Sequence, residues 1–77
     1  MTKPNLEDVK NAIKVILQDT KAYQTSLNYA VNYCKYALEI TEEKEMQVQV
    51  LYILSNITNW RNEKAKEVRA VLKAYKN

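Results

Sequence analysis

The chain has no glycine, no histidine and no phenylalanine, and 77 residues hold one proline (Pro4) and one cysteine (Cys34). Each absence removes a class of function. Without glycine there are no Gly-dependent hairpin turns, phosphate-cradling loops or dinucleotide fingerprints. Without histidine, a single cysteine cannot complete a Cys-His pair, a zinc cluster or a Ser-His-Asp triad, and it has no partner for an internal disulfide. No metal site, cofactor site or catalytic residue is therefore expected. The paired acids Glu42, Glu43 and Glu45 are accounted for by their place at a helix start, and neither a general base with a partner nor an oxyanion device emerges from the spacing.

Long hydrophobic runs are also missing. The longest apolar stretch, Val50 to Leu54, is far short of a membrane span. The first five residues, Met-Thr-Lys-Pro-Asn, lead into an amphipathic pattern with no apolar signal core, and a lone thiol fits a reducing compartment. A cytoplasmic, soluble protein is the expectation. What the chain does have is apolar content, 47% against 27% charged, which is too much for disorder.

The periodicity is helical throughout, and it predicts one all-α domain over residues 1–77, a compact bundle of three to four helices with antiparallel neighbours. The helices are expected at about 5–19, 22–40, 42–58 and 62–75, with 1–4 a flexible N-terminus. Asn5 before Glu7 and Asp8 marks the first start, where exposed amides favour negative charge. Leu6, Val9, Ile13, Ile16 and Leu17 then recur at helical spacing. The stripe weakens near Asp19-Thr20 and resumes through Tyr23, Leu27, Ala30, Val31, Cys34, Ala37 and Leu38. One bent helix or two fit this, with a break between about 19 and 26 favoured. Thr41 is placed to cap the third helix, whose main face is Met46, Val50, Ile53, Leu54 and Ile57. The alternation in Val48–Leu54 could suggest a strand, but an acidic start and three turns of helical periodicity outweigh it, and a lone strand has no partner. Asn59 and Asn62 bracket the last boundary, and Ala65, Val68, Val71, Leu72 and Tyr75 form the final stripe. Cys34, on an apolar stripe, is expected to be a buried, inert thiol.

Two helices carry more apolar surface than one core can use. On a wheel of about 100° per residue, Tyr29, Tyr33 and Tyr36 form a second face roughly 140° from the core stripe of their helix. The third helix adds Val48, Leu51 and Tyr52 away from its main face. Such tyrosines could lie along neighbouring helices with their hydroxyls in water. They could equally form a protein interface, where tyrosine is enriched. The interface reading takes Tyr29, Tyr33, Tyr36, Tyr52 and Trp60 as its residues, with a symmetric homodimer or another protein as partner. Trp60 has a structural alternative, closing the edge of the core with its indole N–H on a nearby carbonyl. Size favours a partner, because a single core below roughly 80 residues leaves only a few kcal/mol of net stability unless something staples it.

Charge is uneven. Residues 60–77 hold six basic against two acidic side chains, or +4, which with −2 over 41–59 and +1 over 1–40 makes the net +3. Arg61 and the line Lys66, Arg69, Lys73 and Lys76 could track a phosphate backbone, so nucleic-acid binding is the alternative function. The same residues would also populate any solvated helix face near a C-terminus. A helix-turn-helix is disfavoured, because the preceding helix is long and the turn lacks glycine.

Val48-Gln-Val-Leu-Tyr-Ile-Leu-Ser-Asn-Ile-Thr-Asn-Trp-Arg-Asn62, followed by Ala65-Lys-Glu-Val-Arg69, resembles small helical proteins encoded in phages and prophages of low-GC Gram-positive bacteria. The resemblance covers roughly residues 46–75. Asn62 stands where a glycine often follows the Trp-Arg pair in those proteins. The resemblance implies a small accessory or regulatory protein that acts by binding and has no enzymatic activity.

Overall fold

In the computed structural model, which describes residues 3–76, Asn5 caps the first helix, α1 (Leu6–Gln18), by a reciprocal box. Its Oδ1 accepts from the Asp8 N–H at 2.8 Å, and the Asp8 carboxylate accepts from the Asn5 N–H at 3.0 Å. Three further α-helices follow: α2 (Ala30–Ala37), α3 (Glu43–Asn56) and α4 (Ala65–Lys76). Each packs on its two neighbours in a closed ring, α1 on α2, α2 on α3, α3 on α4 and α4 on α1. Contacts at matching levels show the antiparallel order. Tyr36 meets Glu45 and Tyr33 meets Gln49 between α2 and α3, while Arg69 and Tyr75 reach the end and the start of α3. The expected all-α bundle is therefore the architecture. Among the described residues there is no strand, and Val48–Leu54 lies within α3.

The absence of glycine is visible at the helix ends. No described residue has a positive φ, so none of α1, α2 and α3 stops in the left-handed turn that glycine usually supplies. The ends tighten instead: the Asp19 N–H donates to Ile16 O and the Ile57 N–H to Leu54 O, each three residues back.

One boundary needs correction. The second helix, expected over 22–40, is α-helical only over Ala30–Ala37; a short 3₁₀ turn, Thr20–Ala22, and a run of turns precede it. The break near residues 19–26 is real and longer than the spacing suggested. Local bonds hold the segment in turns. The Leu27 N–H and the Thr25 hydroxyl both donate to Ala22 O, and the Tyr23 hydroxyl donates to Leu17 O. Thr20, Thr25, Ser26 and Asn28 compete for backbone partners and favour such turns over helix. Leu27 still reaches the core, so the apolar stripe is genuine although the helix beneath it is not. Thr41 makes no cap either: Glu42 is the N-cap of α3 and has no side-chain cap bond, which leaves Glu43 and Glu45 to favour the first turn electrostatically. α4 starts at Ala65, after a turn in which Asn62 Oδ1 accepts from the Lys64 N–H at 2.9 Å. Of the N-terminal segment expected to be flexible, residues 1 and 2 lie outside the described residues. Lys3 and Pro4 lie outside the helix, with Lys3 Nζ 6.0 Å from the Tyr75 ring centroid.

The ring is closed at one junction. Trp60, fully buried in the α3–α4 connection, donates its indole N–H to Asp19 Oδ2 at 2.8 Å, and Asn62 Nδ2 donates to the same oxygen at 3.1 Å. Arg69 Nη2 donates to the carbonyls of Ile57 at 2.7 Å and Trp60 at 2.5 Å, and the Ile57 oxygen also accepts from the Trp60 N–H at 3.1 Å, so the α3–α4 connection is tied to α4. Trp60→Ala should cost about 3–5 kcal/mol, as loss of a buried aromatic usually does. That is comparable with the entire stability of a core this small. Urea unfolding followed by circular dichroism should show it, with Trp60→Phe losing clearly less. The hydrogen bonds from Trp60 and Asn62 hold the Asp19 carboxyl below the usual carboxylate range. A depressed folded-state pKa contributes stability above the unfolded-state value and loses it as pH falls through the folded one. Stability should therefore decline on acidification below about pH 4, and Asp19→Asn should flatten that decline in urea midpoints measured from pH 2 to 6.

Candidate protein interface

α2 and α3 each have one buried and one exposed apolar side. α2 buries Ala30, Val31, Cys34 and Ala37, and α3 buries Met46, Gln49, Val50 and Ile53. On the opposite sides, Tyr29 is 73% exposed, and Tyr33, Tyr36, Val48, Leu51 and Tyr52 are each between a third and just over a half exposed. The antiparallel pairing of α2 and α3 brings the four tyrosine candidates onto one face. The Tyr33 and Tyr52 rings stack with centroids 5.7 Å apart and an interplanar angle of 22°. Val48 and Leu51 continue the apolar surface around α3.

Polar contacts fix this face from behind. Gln49, a buried polar residue, donates from Nε2 to Tyr33 O at 2.9 Å, locking the register of the two helices where the rings stack. The Tyr36 hydroxyl donates to Glu45 Oε2 at 2.5 Å, and this bond to a carboxylate pushes the Tyr36 pKa up. The face is otherwise nearly free of charge: from Met46 to Trp60 the sequence has no ionisable side chain except the tyrosine, and Lys35 is the only charged residue within α2. Gln49 and Glu45 were not among the expected site residues. A polar residue on an otherwise apolar helical stripe was the available signal for Gln49.

Trp60 does not belong to this face. It is 0% exposed, and its N–H is committed to Asp19, so it presents nothing to a partner. The basic line is likewise altered. Arg61, Lys66, Lys73 and Lys76 are exposed, but the guanidinium of Arg69 is turned inward onto two carbonyls and leaves the line. On the far side of the ring, Ala12, Val15, Ala70, Val71 and Ala74 line a shallow groove between α1 and α4, edged by Asp8 and Glu67. Among the described residues no group of three His, Cys, Asp or Glu side chains is placed to hold a metal ion, and no helix is long and apolar enough to cross a membrane. No family model, curated protein or solved structure matches the chain.

Cys34 is buried beneath α2, and desolvation pushes its thiol up to about 12. Its reaction with a thiol reagent at pH 8 should be at least about a hundredfold slower in the folded chain than in denaturant, because only the thiolate reacts. Absorbance on reaction with an aromatic disulfide reads this directly.

Proposed function

We propose that the chain is a non-enzymatic protein-interaction module, a homodimer formed through the tyrosine-bearing side of α2 and α3, serving as a small accessory or regulatory protein of the phage or prophage type in the cytoplasm. One observation carries the reading: six large apolar side chains stand exposed, five on the adjacent helices α2 and α3, whose other sides already form the core, and Tyr29 at the N-cap of α2. Side chains of this size, exposed to this degree, offer on the order of 600 Å². That is at the upper end of what a monomer exposes in its largest apolar patch, and most of the roughly 800 Å² that one partner gives to a standard interface. A second copy would also supply the staple that a chain without metal or disulfide otherwise lacks.

A second reading, binding to nucleic acid, draws on the exposure of Arg61, Lys66, Lys73 and Lys76. It accounts for the charge of α4 and leaves the tyrosine face without a role. The homodimer reading is therefore preferred.

Sedimentation equilibrium decides between them. The wild type is expected at twice the 9.0 kDa chain mass, and Tyr29→Lys/Tyr33→Lys at the monomer mass with its helical circular dichroism retained. Folded monomers in both samples would remove the homodimer. In the same preparations, a steep loss of DNA or RNA binding with rising salt would instead support the basic residues.

A further inference from the structure

The outer side of α3 has an internal spacing that indicates how a second copy would sit on it. Lys44, Val48, Leu51 and Ser55 are separated by four, three and four residues, the spacing of a coiled-coil seam, with a β-branched residue and a leucine at its centre. All four are exposed, and they point away from the Met46, Val50 and Ile53 side that enters the core. Tyr52 flanks this seam and carries the stacked Tyr33 with it, so the seam and the tyrosine face form one surface.

Resting on the homodimer reading above, we infer that the two copies pack α3 against α3 in antiparallel orientation, about a two-fold axis passing between Val48 and Leu51. In this register Val48 of each copy meets Leu51 of the other, and Lys44 meets Ser55. The charges select the direction. A parallel pair would set Lys44 against itself, bring the acids Glu43 and Glu45 of the two copies together at one end, and align the helix dipoles. The antiparallel pair separates the acidic ends by the length of the helix and opposes the dipoles. Each ammonium then faces a neutral hydroxyl, which is already donating to Leu51 O at 2.6 Å within its own helix. The concentration of positive charge in residues 60–77 does not oppose this contact, because α3 carries no charge beyond Glu45.

Cysteine cross-linking tests the orientation. Lys44→Cys and Ser55→Cys are made separately in the otherwise native chain, where buried Cys34 serves as the unreactive background and the wild type as control. Mild oxidation of the mixed variants should yield a covalent dimer whose intact mass joins one of each. Either variant alone should give at least about tenfold less, since like positions lie roughly 16 Å apart along an antiparallel pair, whereas a disulfide needs Cα atoms within about 7 Å. Self-cross-linking of each variant would overturn the inference in favour of a parallel pair. Failure of the mixed cross-link in a wild type that sediments as a dimer would overturn the orientation and leave the homodimer standing. A monomeric wild type would overturn both. Ser55→Glu gives a reading free of cysteine chemistry. Facing Lys44 of the second copy twice per dimer, it should tighten dimerisation about threefold at low salt; weaker dimerisation would contradict the register.

Discussion

The junction around Trp60 holds the ends of the bundle together. Its ring is fully buried, its N–H donates to Asp19 just past the end of α1, and its own carbonyl accepts from Arg69 of α4. These contacts connect residues 41 and 9 positions apart, so they fix the α3–α4 turn against the α1 terminus without help from local turn chemistry. That matters in a chain with no glycine, where helices end by tightening and the connections need side chains to hold them. Asn62 completes the arrangement twice, through its amide to Asp19 and its carbonyl oxygen to the Lys64 N–H.

Once the junction fixes the ring, the roles of the helices diverge. α1 and α4 bury one stripe each and present largely polar or small residues outward. α2 and α3 bury a stripe and present large apolar residues as well. The difference does not come from packing need, because the core is already continuous from Val9 to Tyr75 without the exposed tyrosines. Gln49 makes the same point from inside: a buried amide is spent on the Tyr33 carbonyl, and it sets the level at which Tyr33 and Tyr52 stack. The interior thus fixes the arrangement of the exterior face, as a satisfied buried polar contact does.

Much of this organisation was legible in the residues. Asn5 with Asp8 signalled the first cap, the acids at 42–45 signalled the start of α3, and the spacing of Tyr29, Tyr33 and Tyr36 placed them away from the core. Three features escaped, each for a tertiary reason. Periodicity could not show that 22–29 forms turns, because Leu27 keeps its place in the stripe whether the backbone is helical or not. For Trp60 the structural role, closing the core edge, was readable beside the interface one, but its acceptor, the Asp19 carboxylate 41 residues away, was not. Arg69 falls on a basic line by helical spacing, yet the carbonyls of Ile57 and Trp60 in the α3–α4 connection hold its guanidinium inward. Side-chain type and period report a face; they do not report which polar groups the rest of the fold has left unsatisfied.

The separation of charge from apolar surface gives the last constraint. Had the four excess positive charges of the C-terminal segment been spread over the ring, a second copy approaching α3 would meet like charge. Instead the positive charge lies on α4 and in the connection before it, while α3 beyond Glu45 is neutral. At moderate salt, exposed charges more than roughly 10 Å apart are largely screened from one another. The exposed surface of α3 beyond Glu45, with Val48, Leu51 and Tyr52, is apolar or neutral. Exposed basic side chains thus concentrate on α4, and exposed tyrosines and aliphatic side chains on the α2–α3 side, so charge and apolar surface occupy different parts of the ring.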